Sequence, residues 1–206
     1  YKMKYYFFLL LIMLVVSCLP NQKQLEQVSL DSPEILYLNH FNADDTSFWV
    51  GNDGMNYAEL DEGYYYYESL DSSLRYNAPN FSIEEDQNFS VEISIINPTD
   101  EEDSLYYGLM VGEFSPQNYI VDFLINDLGQ YKIETNIKVS SGNYKMGNTS
   151  EARKLKILKK DATTYFFIND NLVYNYVLDT LSQFRCGPTT SSAIWMDYIK
   201  IEKEGM

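Results

Sequence analysis

From Glu34 onward, apolar and polar residues alternate almost one for one. Phe89, Val91, Ile93 and Ile95 are separated by Ser90, Glu92 and Ser94. Leu105, Tyr107, Leu109 and Val111 form a second set, and Tyr119, Val121, Phe123 and Ile125 a third, with Asp122 facing the other way. Leu155 and Ile157 alternate with Lys154 and Lys156. Successive side chains of a strand point to opposite faces, so a period of two puts one face on a core and the other in water. The segments between carry turn chemistry. Asn126-Asp127-Leu128-Gly129 and Asn169-Asp170-Asn171 read as hairpin connections, because Asn, Asp and Gly tolerate the left-handed backbone of tight turns. Asn97 to Asp103 reads as an acidic loop and Ser140-Ser141-Gly142-Asn143 as a polar one. The only helical candidate is short, near Leu178 to Gln183. Many short strands joined by turns predict an all-β chain built as an antiparallel sandwich or barrel.

The N-terminus has a different character. Lys2 and Lys4 precede an apolar run from Tyr5 to Val16. That run falls short of the ~20 residues needed to cross a bilayer. A basic start, a short apolar stretch and a small residue at its end predict a secretory signal peptide. Leu14-Val15-Val16-Ser17-Cys18 resembles the bacterial lipobox, in which the Cys becomes the lipidated N-terminus. That resemblance implies a signal peptide over 1–17, a lipidated Cys18, a polar tether over 18–34 with Pro20 and Pro33 at its edges, and a folded domain over 35–206. It also implies a cell-envelope protein held on the outer membrane by its lipid, facing the periplasm or the cell surface. Two or more acyl chains anchor stably.

Charge and chemistry exclude several functions. The chain has 206 residues and a formal net charge of −15. A nucleic-acid partner is not expected, because phosphate binding needs clustered Lys and Arg. His40 is the single histidine, which rules out multi-histidine metal centres within one chain. With Cys18 acylated, Cys186 stands alone beside the Gly187-Pro188 turn and is expected to pack as a small apolar residue.

The order of motifs along the body carries a family resemblance. It begins with His40-Phe41-Asn42-Ala43-Asp44-Asp45 and Trp49. Gly63-Tyr64-Tyr65-Tyr66-Tyr67, Tyr107-Gly108-Leu109-Met110-Val111-Gly112 and Asn118-Tyr119-Ile120-Val121-Asp122-Phe123 follow. Tyr165-Phe166-Phe167-Ile168-Asn169 and Ile194-Trp195-Met196-Asp197-Tyr198-Ile199-Lys200-Ile201 come later. Together they resemble the concanavalin A-like lectin/glucanase superfamily, and within it the laminin G-like and 3-keto-disaccharide-hydrolase-like domains. The resemblance implies an antiparallel jelly-roll β-sandwich with ligands on the concave sheet. It also implies a structural calcium site, for which Asp44, Asp45 and Asp197 occupy matching positions.

Glucanases of this superfamily carry a Glu-x-Asp-x(-x)-Glu cluster on one strand, where period two puts the carboxylates on one face. Glu59-Leu60-Asp61-Glu62 approaches that pattern but has Gly63 where the last Glu should fall. Glu84-Glu85-Asp86 and Glu101-Glu102-Asp103 lack the downstream Glu. No enzyme is therefore expected, and a glycoside hydrolase is the weakest of three readings. The favoured reading is a non-catalytic lectin-like lipoprotein that binds glycan through aromatic faces. Its candidate ligand residues are Tyr64, Tyr65, Tyr66, Tyr67, Trp49, Tyr119 and Trp195, with Tyr106 and Tyr131 as further rings. In a strand, one pair of the four consecutive tyrosines must face the core and the other pair must face away. The alternative is an accessory interaction subunit of an outer-membrane protein complex, since exposed Tyr and Trp suit protein partners equally well.

Overall fold

The computed structural model describes residues 33–42, 47–82, 87–98, 104–112, 120–135, 138–147, 151–177 and 183–205. The chain divides into two units, residues 1–31 and 32–206, and every described residue belongs to the second. Cys18, Asp44, Asp45 and Tyr119 lie outside the described residues, as do positions 178–182 of the expected helix. Gln183 already belongs to a strand.

The first strands are β1 (Glu34–Asn39), β2 (Gly51–Asn52), β3 (Asn56–Asp61), β4 (Tyr64–Ser69), β5 (Arg75–Tyr76), β6 (Asn80–Ser82), β7 (Phe89–Ile96) and β8 (Tyr107–Gly112). Then come β9 (Ile120–Ile125), β10 (Gln130–Thr135), β11 (Val139–Asn143), β12 (Arg153–Lys160), β13 (Thr163–Ile168), β14 (Asn171–Val177), β15 (Gln183–Thr190) and β16 (Ala193–Lys203). They form two sheets. The nine-stranded sheet runs β14-β13-β12-β7-β16-β4-β3-β2, with β1 also on β16. The seven-stranded sheet runs β11-β10-β9-β8-β15-β5, with β6 also on β15. Every strand pair is antiparallel.

The alternating residues meet between the sheets. Val91, Ile93 and Ile95 of β7, Leu155 and Ile157 of β12, and Ile199 and Ile201 of β16 supply one side of the core. Tyr107, Leu109, Val111, Val121, Phe123 and Ile125 supply the other. Burying each such side chain stabilises the fold by about 1.5–3 kcal/mol. Cys186 lies in this core, and burial pushes its thiol up, which leaves it unreactive. Between β9 and β10, Gly129 takes φ 75°, and between β13 and β14 Asn169 and Asp170 take φ 48° and 63°. These are the turns their residue types predict.

One segment departs from its sequence reading. Ser140 to Asn143 is strand β11 rather than a loop, paired with β10. Its polar residues suit an edge strand, one of whose sides is open to water. Gly142 is required there, because a Cβ would come within 2.7 Å of the Tyr131 ring.

A polar cluster ties the sheets together at one end of the core. Asp127, in the β9–β10 turn, and Arg153, at the start of β12, are both buried, with a guanidinium nitrogen 3.0 Å from the carboxylate. That nitrogen, Nη2, is close to Asp127 but not aligned for a hydrogen bond. Arg153 Nη1 donates to Tyr107 Oη at 2.6 Å, and the Tyr107 hydroxyl donates to Asp127 Oδ1 at 2.6 Å. Asn97 Nδ2 donates to the other carboxylate oxygen.

Candidate functional site

The four consecutive tyrosines divide by parity. Tyr65 and Tyr67 point inward and are buried in the core, so they leave the set of ligand candidates. The Tyr65 hydroxyl donates to the Trp49 carbonyl at 2.8 Å. Tyr64 and Tyr66 point away from the core on the nine-stranded sheet. The register of β4 on β16 sets Tyr66 directly opposite Trp195, and the register of β3 on β4 sets it opposite Glu59. The Tyr66 and Trp195 rings lie 5.1 Å apart at 58°, and the Tyr64 and Trp195 rings 6.0 Å apart at 90°. Tyr57 extends the row, its ring 5.9 Å from that of Tyr66. The outcome is a continuous aromatic face of Tyr57, Tyr66, Trp195 and Tyr64. The sequence reading found three of these rings. It missed Tyr57, whose signal was its even spacing from Glu59 and Asp61 on one strand.

Acids are interleaved with the rings. The Tyr57 hydroxyl donates to Glu59 Oε2 at 2.6 Å and the Tyr66 hydroxyl to Glu68 Oε2 at 3.0 Å. Burial, then the Glu68 hydrogen bond, pushes the Tyr66 phenol up, while Tyr57 is raised first by its bond to Glu59. Beside Trp195 is an open hollow of about 260 Å³, lined by Asp61, Glu62, Tyr64, Ile96 and Trp195. One wall is the two-residue turn between β3 and β4, in which Glu62 takes φ 46° and Gly63 φ 90°. That turn conformation favours Asn or Gly at its first position, so Glu62 is an uncommon occupant.

The remaining candidates stand apart. Trp49 is 41% exposed, and its backbone carbonyl also accepts from Asn77 Nδ2 at 2.8 Å, but it makes no ring contact with the aromatic face. Asp197 is the extra residue of a bulge in β16 where the register against β7 shifts. Among the described residues, no three His, Cys, Asp or Glu side chains converge on a metal-sized site.

The seven-stranded sheet carries a second cluster that the sequence reading passed over. Asp122 on β9 and Glu134 on β10 are directly opposed and face away from the core. Lys132, on the same face, pairs with Glu134 at 2.5 Å, and its ammonium lies 5.6 Å from the centre of the Tyr106 ring. Met110, Leu124 and Thr189 share this face and are buried, and Thr189 Oγ1 has no hydrogen-bond partner among the described residues. Desolvation, then repulsion from Glu134, raises the Asp122 carboxyl from 3.8 to about 6. The signal for this pair was Asp122 itself, the one charged residue in an otherwise apolar strand.

Because the Asp122 proton is held more tightly in the folded chain, its contribution to stability is lost as pH rises from 3.8 to about 6. Asp122→Asn is therefore expected to stabilise the protein by about 2 kcal/mol at pH 7.5 and by far less at pH 4. Thermal melts of both proteins at the two pH values measure this. Equal melting temperatures at pH 7.5 would show that Asp122 is solvated and ionised.

No family model matches the chain, and no curated protein matches it in sequence. Its fold has clear counterparts among solved structures. A laminarinase from Flavobacterium sp. UMI-01 aligns at TM-score 0.59 and 12% identity, covering 82% of this chain and 100% of that one. A GlcNAcα1-4Gal-releasing endo-β-galactosidase from Clostridium perfringens aligns at 0.61 and 11%, covering 84% and 62%. A Bacillus subtilis protein of unknown function with a galectin-like fold aligns at 0.65 and 9%, covering 82% and 96%. The fold is thus the concanavalin A-like lectin and glucanase sandwich, shared with glycan-cleaving enzymes and with a galectin-like protein. This corrects the expectation that no enzyme is present: the fold is one that laminarinase catalytic domains share, and it is compatible with catalysis. That expectation rested on a missing single-strand acid motif, whereas Asp122 and Glu134 come together from two adjacent strands.

Proposed function

We propose that the protein engages a carbohydrate chain on the aromatic face formed by Tyr57, Tyr66, Trp195 and Tyr64. The observation that carries this reading is the cross-strand alignment of those rings on one side of a lectin and glucanase sandwich. Sugar rings present C–H surfaces that pack on aromatic faces, and their hydroxyls donate to carboxylates such as Glu59 and Glu68. Affinity electrophoresis through gels containing laminarin, other glucans or galactans tests it. Retardation by at least one glycan is expected, and uniform mobility in all of them would overturn the reading.

A second reading is glycoside hydrolysis on the opposite sheet. It is favoured by Asp122 and Glu134, two opposed carboxylates on neighbouring strands, of which Asp122 is raised by desolvation and by Glu134. Asp122 would serve as the acid, and Glu134, paired with Lys132, as the base or nucleophile. Release of reducing ends by wild type but not by Asp122→Asn would support it.

We further infer that the domain is carried on a lipidated Cys18 at the outer membrane. The support is the short apolar run ending at Ser17-Cys18. Labelling with an alkyne fatty acid is expected to mark the wild-type protein and to spare Cys18→Ala. Equal labelling would refute the anchor.

A further inference from the structure

The reading of the aromatic face as a ligand site leaves its charge unexplained. Glu59, Asp61 and Glu62 lie along β3 and its turn, and Glu68 lies on β4 beside them. Among the described residues, none of the four makes an ion pair. No Lys or Arg lines the hollow beside Trp195, and none acts on the phenols of Tyr57 or Tyr66. Several other acids among the described residues are paired: Asp71 with Arg75, Glu134 with Lys132, Asp170 with Lys154, and Glu92 and Glu202 with Lys200. The aromatic face is therefore a place where negative charge is gathered without a partner.

The geometry of the hollow suits one kind of partner. Tyr64 and Trp195 meet at 90°, giving a corner with an aromatic wall on two sides. Ile96 adds an apolar surface, and Asp61 and Glu62 complete the lining. A cation within about 6 Å of an aromatic centroid is attracted by the ring quadrupole, most strongly by Trp. The volume of about 260 Å³ is below the ~300–1,000 Å³ usual for drug-sized ligands, so it admits one small group rather than an oligomer. A formal charge of −15 would also draw cations toward the surface.

We propose that this hollow binds an organic ammonium group, its carbon body against Trp195 and Tyr64 and its charge toward Asp61 and Glu62. Such a group occurs as the free amine of an amino sugar and as a quaternary ammonium headgroup. The proposal rests on the aromatic face as the ligand surface and adds the chemical class of the ligand.

The test uses the described domain within the full chain carrying Trp49→Phe, which leaves Trp195 as the only tryptophan of the two. Its fluorescence is titrated with glucosamine, N-acetylglucosamine and tetramethylammonium chloride at constant ionic strength. Saturable change with glucosamine, at least ~10-fold tighter than with N-acetylglucosamine and weakened by 0.5 M NaCl, identifies an amino sugar. Saturation by tetramethylammonium alone identifies a quaternary headgroup; it supports the ammonium site and counts against a carbohydrate ligand there. Glu62→Asn is expected to weaken either cation by ~3–10-fold while raising the melting temperature, because Asn suits the left-handed turn position better than Glu. Since that variant gains stability, weaker binding in it reflects lost charge rather than lost fold. Equal affinity for glucosamine and N-acetylglucosamine would overturn the proposal and leave carbohydrate binding standing. So would unchanged cation affinity in Glu62→Asn. No response to either cation would overturn it as well.

Discussion

Asp127→Ala is expected to destabilise the sandwich by about 3–5 kcal/mol, enough to remove much of the ~5–15 kcal/mol that holds a typical domain. The substitution strands the Arg153 guanidinium inside the core, where Asp127 is its only carboxylate contact among the described residues. It also removes the acceptor of the Tyr107 hydroxyl and of Asn97 Nδ2. A buried charge without a partner costs more than the pair gains by existing. The double variant Asp127→Leu with Arg153→Leu should therefore recover most of the loss, although it has two changes. Urea unfolding of Asp127→Leu, Arg153→Leu and the double variant gives a complete cycle. Additive losses would mean that the two side chains act independently, contrary to the 3.0 Å contact between them.

Trp195→Ala is expected to lower glycan affinity at least ~10-fold, the largest effect of any single change on the aromatic face. Trp195 is the ring that joins the others, 5.1 Å from Tyr66 and 6.0 Å from Tyr64. Its removal takes away a stacking surface and opens the hollow beside Ile96. Aromatic pairs contribute about 0.5–1.5 kcal/mol beyond area burial, so some stability is lost too. Far-UV circular dichroism on the variant separates a folded protein with a damaged site from an unfolded one. Tyr66→Phe keeps the ring and removes only the hydroxyl that donates to Glu68, so its affinity should fall less than that of Trp195→Ala. The reverse order would mean that hydrogen bonding rather than stacking dominates.

The sandwich was legible in the sequence because period two is imposed by the backbone itself. Once Tyr64 to Tyr67 is placed on a strand, parity decides which two rings face out, and the core preference for Tyr65 and Tyr67 follows from their neighbours Ala58 and Leu60. What parity does not supply is the partner across the sheet. Trp195 reaches Tyr66 only because β16 pairs with β4, a contact between distant parts of the chain. Tyr57 and the acids around it enter through the same pairing logic. Asp122 and Glu134 were hidden for a related reason: on either strand alone, each is one acid with no second carboxylate in a motif. Arg153 carries no signal of its role in the sequence either. It shares the inward parity of Leu155 and Ile157, and only the buried carboxylate of Asp127 explains a guanidinium there. Strand β11 looked like a loop because its Ser and Gly residues satisfy an edge strand as readily as a turn.

The central claim is that the aromatic face of the nine-stranded sheet engages carbohydrate. Its most direct measurement is a chemical-shift titration of the Trp195 indole N–H in ¹⁵N-labelled protein with a panel of glucan and galactan oligosaccharides. A saturable shift of that resonance is expected with at least one oligosaccharide, accompanied by shifts in Tyr57, Tyr64 and Tyr66 and none at Trp49. Binding that leaves Trp195 unmoved while shifting Asp122, Lys132 and Glu134 would contradict it and assign the ligand to the opposite sheet.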